Sequence, residues 1–255
     1  SYEALVPNAT GARRAAAAGV DKILIVIAAS DVANRANVNM TVRQSLAQAE
    51  QIMEIANAAG IPVLGAIATT TGCAYTGEVP LERVLWVAEE YVRLGVSELY
   101  VADSLGMGYP TQVARIAGAV LDRWPEIPLV QHLHDTRGMG LANALAALEA
   151  GVTTLDASIA GLGGCPFAPG SSGNVCTEDL VHMLHGMGVA TGIDLDALLA
   201  VARRAEQVVG HRLPGAVMHA GKSHQTIPIP PQLLAPEGVK TAQDVAGLSY
   251  KSGGQ

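Results

Sequence analysis

The sequence predicts an α/β fold built on a parallel sheet, and three observations carry that reading. Short β-branched runs alternate with longer helical patterns along most of the 255 residues. The runs are almost continuously apolar, as strands covered on both faces of a parallel sheet must be. Composition points the same way: 49% of residues are apolar and 15% charged, against about 25% charged in an average soluble domain. A chain so rich in Ala, Val, Leu and Gly has to hide much of its length, which excludes disorder.

The strands are predicted at residues 3–6, 22–27, 62–68, 98–102, 129–132 and 153–158. Helix signals fill the gaps. Thr41 and Gln44 form a capping box before a helix running to about Ala59, closed by Gly60 and Pro62. Pro80 suits the first turn of the next helix, whose Leu81, Val84, Leu85, Ala88 and Val92 fall on one face before Gly95. Residues 111–121 form another helix, and Leu141, Leu145 and Leu148 repeat the apolar spacing before Gly151. Further helices are expected at 178–187 and at 195–208, the second capped by Asp194. Repeated βα units leave two topologies, a doubly wound sheet or an eight-stranded barrel. Six strands are visible, so a closed barrel needs two more, which this reading places before Ser1. Residues 1–215 make the barrel part. Residues 216–255, with Pro228, Pro230, Pro231 and Pro236 and no period, read as an irregular C-terminal tail.

Charge narrows the function. Lys plus Arg number 16 and Asp plus Glu 23, a net −7, which argues against nucleic acid or an anionic membrane as partner. The longest clean apolar run, residues 23–29, is too short to cross a bilayer. Cys73, Cys165 and Cys176 are too few and too scattered for a disulfide framework. With no leader at Ser1, the chain reads as soluble and intracellular. Its Ala-rich composition suits a bacterial cytoplasm, with a mitochondrial matrix left open.

Four constellations could carry chemistry. His132 and His134 flank Leu133 at the end of a predicted strand, so both imidazoles face the same side. Two convergent imidazoles with carboxylate or amide oxygens suit a divalent cation; the alternative is two satisfied polar histidines. The run Gly161-Leu162-Gly163-Gly164-Cys165-Pro166 follows the last strand. Its glycines suit a loop that closes over a site, with Cys165 as proton donor or nucleophile; an ordinary turn around a small residue is the alternative. Gly173-Asn174 precedes Thr177-Glu178-Asp179, where an amide oxygen would complete a metal shell, or where the acids merely suit a helix start. Asp103 ends the 98–102 strand, a catalytic position in barrels and also a routine cap.

Together these motifs resemble the 3-hydroxy-3-methylglutaryl-CoA lyase family, within the barrel metal-dependent lyases and Claisen-type synthases. The run Ser158-Ile159-Ala160-Gly161-Leu162-Gly163-Gly164-Cys165-Pro166-Phe167 is similar to that family's signature, with Ile159 where Val is usual and Phe167 where Tyr is usual. The likeness extends from Pro7-Asn8 through Ala28-Ala29-Ser30, Gly72-Cys73, Asp103 and His132-Leu133-His134-Asp135-Thr136 to about Asp196. It implies a (β/α)₈ TIM barrel, here incomplete, with the first two strands absent. It implies Mg²⁺ or Mn²⁺ held by His132, His134 and Asn174, a CoA thioester substrate and a homo-oligomer, a dimer. The family's remaining metal ligand is an aspartate in an Arg-Asp-Gly-Leu-Gln motif on the first strand, and this sequence contains no such motif. The implied reaction is retro-Claisen cleavage to acetyl-CoA and acetoacetate. Cys165 protonates the departing carbon, His132 also carries the hydroxyl proton, and Asp103 and Glu178 orient the substrate or the ligands. Leu133 and Arg137 depart from the family pattern, and Arg137 reads as a solvated turn residue. A lyase for a longer 3-hydroxy-3-alkylglutaryl-CoA and a Claisen-type synthase are the sister readings. A poorly active, incomplete fragment is the third.

Overall fold

The structure, a computed structural model, describes residues 1–164 and 173–230. The chain divides into two units, Ser1–Ala220 and Gly221–Gln255. The first begins with β1 (Glu3–Leu5), α1 (Ala9–Ala18), β2 (Lys22–Ala28), α2 (Asp31–Val38) and α3 (Val42–Ala58). It continues with β3 (Val63–Ala68), α4 (Leu81–Leu94), β4 (Glu98–Asp103), α5 (Pro110–Arg123), β5 (Leu129–Leu133) and α6 (Gly140–Glu149). Then come β6 (Thr154–Leu155), a 3₁₀ turn (Ile159–Gly161), α7 (Thr177–Gly186), α8 (Leu195–Val209) and α9 (Val217–Ala220).

All neighbouring strands are parallel and the sheet order is β1-β2-β3-β4-β5-β6. This order decides between the two topologies. Parallel crossovers are right-handed, so an unbroken order places every helix on one face; a doubly wound sheet reverses its order and has helices on both. The sheet is therefore wound as a barrel wall, with six strands among the described residues where a closed barrel has eight. Its outer face packs on the helices: Ile25 of β2, Ile67 of β3 and Val101 of β4 share one core with Ile52 of α3, Val87 of α4 and Ile116 of α5. The concave face carries a smaller cluster, Leu64, Ala66, Tyr100 and Val130, flanked by Leu24 and Val26. Gly65 has a steric reason within β3. A Cβ there would lie 2.6 Å from the Tyr91 ring, which lies against the strand while its hydroxyl bonds the Ile25 and Ala66 carbonyls. A third cluster, including Val181, Leu195, Leu199, Leu213 and Met218, joins α7, α8 and α9.

The structure departs from sequence expectation at three helices and one strand: α9 stands inside the stretch read as an irregular tail, its first amides held by Asp179. α1 and α2 leave no large-residue stripe: α1 buries only Ala12 and Ala15, and α2 only Asn34. Their caps define them instead. The Asn8 side chain accepts from the Gly11 amide and the Ser30 hydroxyl from the Ala33 amide, while Gly19 and Asn39 end the helices in the left-handed region. β6 is shorter than 153–158 because another segment takes over its pairing. The Val175 amide donates to the Leu133 carbonyl and the Ser158 amide to the Val175 carbonyl, so residue 175 is wedged between β5 and the stretch after β6. No described helix is long and apolar enough to cross a membrane.

Candidate active site

The functional candidates lie at the carboxyl ends of β4 and β5 and on the wedged segment. β5 places His132 and His134 on one side, with ring centroids 5.1 Å apart and planes 65° to each other. The wedge brings Asn174 beside them through a backbone bridge to His134. The Asn174 amide nitrogen donates to the Leu162 carbonyl at 2.8 Å, which leaves its oxygen buried and without a hydrogen-bond partner. His134 Nδ1 is likewise buried without a partner. Burial, followed by the neighbouring His132 charge, lowers the His134 pKa to about 4; the Asp103 and Asp156 charges and the Gly173 backbone oppose this. His134 is thus neutral at ordinary pH, with a lone pair to give. His132 Nδ1 lies 2.8 Å from Asp156 Oδ1. An ionised carboxylate accepts only, so Asp156 fixes the proton on Nδ1 and leaves Nε2 with a lone pair able to ligate.

Two imidazoles and an amide oxygen, two of the three donor atoms buried and unpaired, fit a divalent cation in donor type. No group of three or more His, Cys, Asp or Glu able to hold a metal occurs among the described residues. The set therefore lacks a carboxylate.

The glycines of the 161–164 run have a specific task. The Gly163 backbone (φ +97°) runs so close to Asn174 that a Cβ would lie 2.5 Å from its amide nitrogen. At Gly161 a Cβ would meet the Cys176 sulfur at 2.6 Å, and at Gly173 the Gly161 carbonyl oxygen at 2.3 Å. These residues let two strands of backbone nest and hold Asn174 in place. Cys165 lies outside the described residues.

Asp103 is fully buried, with its carboxylate committed. It accepts from the Thr71 hydroxyl at 2.5 Å and from the amides of Met107 and Gly108 at 2.9 Å each, shaping the loop after β4. Its reach into the site is its negative charge on His134 and its carbonyl, which accepts from the His134 amide. Glu178, expected to orient substrate or ligands, is turned to the glycine run: it accepts from the Ala160 amide at 3.0 Å, while its Oε1 is buried and unpartnered. Asp179 accepts from the amides of Ala216 and Val217, opening α9. Arg137 is more than a solvated turn residue, since its guanidinium donates to the carbonyls of Leu105 and Gly106 and ties two loops together.

Burial raises the Glu178 pKa above its ordinary 4.5, and Asp179 adds to the rise, while backbone amides and His219 oppose it. The folded state then holds a proton that the unfolded state has released, so this group's contribution to stability is intact below pH 4.5 and declines as pH rises through the folded pKa. Glu178→Gln removes that slope. Unfolding curves from about pH 4 to 8 are expected to show the variant gaining on the parent as pH rises; a constant difference would disprove the assignment.

A cleft of about 350 Å³ opens beside the imidazoles, lined among others by Ala28, Ala66, Ala68, Thr69, Ala102, Ser104, His132, His134 and Asp156. Asp156, Thr69 and Ser104 did not stand out in the sequence. Asp156 had a signal, a carboxylate inside a predicted strand. Thr69 had none, because its distinguishing feature is a backbone angle.

Comparison with known proteins agrees with this architecture. The (R)-citramalyl-CoA lyase of Chloroflexus aurantiacus is 43% identical over 234 residues, 92% of this chain and 72% of that protein. A hydroxymethylglutaryl-CoA lyase of Bacillus subtilis is 40% identical over 223 residues, 88% of this chain and 75% of that one. The structure of an HMG-CoA lyase from Acinetobacter baumannii, in complex with coenzyme A and 3-methylmalate, superposes with a TM-score of 0.86 at 43% identity, covering 90% of this chain and 75% of that one. Residues 2–204 match the HMGL-like family, and the chain belongs to it.

Proposed function

We propose that the chain is a divalent-metal-dependent carbon–carbon lyase that cleaves 3-hydroxy-3-methylglutaryl-CoA to acetyl-CoA and acetoacetate. The observation that carries this reading is the set His132, His134 and Asn174, with buried, unpaired donor atoms on the last two. Those three residues would hold Mg²⁺ or Mn²⁺, which when bound supplies Lewis acidity toward the substrate's tertiary hydroxyl. His134 stays neutral through burial, and Asp156 keeps the His132 ring turned for ligation. A general base takes the hydroxyl proton, the bond between the carbinol carbon and the thioester's α-carbon breaks, and the electron pair passes to the enolate of acetyl-CoA. Cys165 donates the proton that completes the methyl group. Asp103 and Glu178 are positioning residues, one for the loop after β4 and one for the glycine run.

A second reading rests on the likeness to the citramalyl-CoA lyase. Citramalyl-CoA has the same tertiary hydroxyl and thioester but one methylene fewer before its free carboxylate, so the same bond cleavage yields pyruvate. An assay of this chain with both thioesters, with Mg²⁺ or Mn²⁺ and with EDTA, separates the two. EDTA-sensitive acetoacetate formation is expected, slow because the described donor set lacks a carboxylate. Pyruvate alone would establish the second reading, and turnover that ignores EDTA would overturn the metal.

A further inference from the structure

The first turn of α7 carries two adjacent carboxyl groups that reach in different directions. Glu178 accepts from the Ala160 amide at 3.0 Å, at the base of the glycine run. Asp179 accepts from the Ala216 amide at 2.8 Å and the Val217 amide at 2.7 Å, one on each oxygen. Between these two grips the glycine run and the turn at 213–217 lie in contact. A Cβ on Gly161 would stand 2.8 Å from the Pro214 ring, and one on Gly215 would stand 2.4 Å from Glu178 Oε1. The turn is tied at its other end as well: the Leu213 amide donates to Glu206 at 2.8 Å, and the Leu213 carbonyl accepts from His219 Nε2 at 3.1 Å.

Packing assigns the run to the same body as the turn. Ala160 shares a cluster with Leu213, Val217 and Met218, with Ile159 and Leu162 packed against it, and this cluster is separate from the sheet core. Ala160 is fully buried and stands at φ +53°, a left-handed conformation that a residue with a Cβ resists unless its surroundings impose it. The Glu178 carboxyl on its amide and the Pro214 ring on its neighbour Gly161 are among those surroundings. The run in turn offers the Leu162 carbonyl that holds the Asn174 amide. A displacement of the turn is therefore passed through Pro214 and the glycine run to Asn174.

We propose that Asp179 is a positioning residue: by fixing the turn at 213–217 it seats the glycine run, and through Leu162 it sets where the Asn174 amide oxygen stands. The inference rests on the lyase reading for the role of that oxygen, and adds to it a residue that touches neither substrate nor ion. The alternative is that Asp179 serves α9 alone, as a cap whose loss costs stability and nothing else.

Asp194 supplies the matched control, since its carboxylate also accepts from two amides, those of Asp196 and Ala197, but at the exposed start of α8. The test measures hydrogen exchange across residues 158–164, Mn²⁺ affinity and thermal unfolding in Asp179→Ala, Asp179→Asn and Asp194→Ala. Asp179→Ala is expected to speed exchange at 158–164 about tenfold and to weaken Mn²⁺ binding by a similar factor, the scale of a lost hydrogen bond to a charged group. Asp179→Asn keeps one acceptor oxygen and is expected to fall between that variant and the parent; it carries the comparison should the alanine variant not fold. Asp194→Ala is expected to unfold at a lower temperature while its run exchanges, and binds Mn²⁺, as in the parent. Equal effects on exchange in the two alanine variants, or unchanged exchange in both Asp179 variants, overturn the proposal. Faster exchange with unchanged Mn²⁺ affinity overturns the link to Asn174. A parent that binds no Mn²⁺ overturns the metal reading instead, and the exchange comparison still accepts or refutes Asp179 as the seat of the run.

Discussion

His134→Ala is expected to abolish saturable Mn²⁺ binding and, with it, thioester cleavage, in a protein that still folds. His134 is 8% exposed, its Nδ1 is unpaired, and its basicity is suppressed to about 4. The Nδ1 atom has given up its water and received no protein partner in return, a cost of roughly 1–3 kcal/mol for an unsatisfied atom. Removing the buried ring leaves a cavity, which costs about 2–5 kcal/mol in large-to-small changes of this kind, but it also relieves the unsatisfied Nδ1. What it removes is one of the three donors proposed among the described residues. Asp156→Asn supplies the graded comparison. It leaves all three donors but loosens the hold on the His132 ring, so metal affinity should fall by only about 10–100-fold. Mn²⁺ titration by electron paramagnetic resonance, alongside thermal unfolding, reads both effects. A His134→Ala protein that unfolds at a much lower temperature yet binds Mn²⁺ normally would return His134 to a structural role.

The histidine pair and Asn174 differ in how far the sequence could place them. Spacing alone put His132 and His134 on one side of β5, because alternate residues of a strand share a face. Asn174 lies forty residues from His134 by number, and only the pairing of Val175 with Leu133 and Ser158 brings the two together. That pairing also explains why β6 stops at Leu155. The alternating order of strands and helices was readable because large apolar residues mark α3, α4, α5 and α8. α1 escaped notice because alanine makes a good helix but no stripe. Residue type did not distinguish the positions of Asp103 and Glu178: both were candidates for the chemistry, and both spend their hydrogen bonds on backbone or on Thr71. Thr69 is the opposite case, a residue of ordinary type set apart by a left-handed backbone and a buried hydroxyl without a hydrogen-bond partner.

Gly173→Ala is expected to lower both stability and metal affinity, and a second glycine separates the two causes. At Gly173 the backbone lies at φ +109°, and an added Cβ would meet the carbonyl oxygens of Gly161 at 2.3 Å and Gly163 at 2.6 Å. Neither atom belongs to a flexible side chain, so the two backbone segments must separate. Asn174 is the next residue, and its amide is held by the Leu162 carbonyl on the opposing segment. Separation therefore moves the amide oxygen proposed as the third donor. Gly19, the αL cap of α1 at φ +71°, has nothing within 4 Å of where its Cβ would stand. Gly19→Ala thus reports the conformational cost alone, about 1–2 kcal/mol, or several degrees of melting temperature. Gly173→Ala should lose more than this and should also bind Mn²⁺ less tightly, whereas Gly19→Ala binds it as the parent does. Equal metal affinity in all three proteins would mean that the nesting of 161–163 against 173–176 serves stability only, and that Asn174 can shift without consequence for the ion.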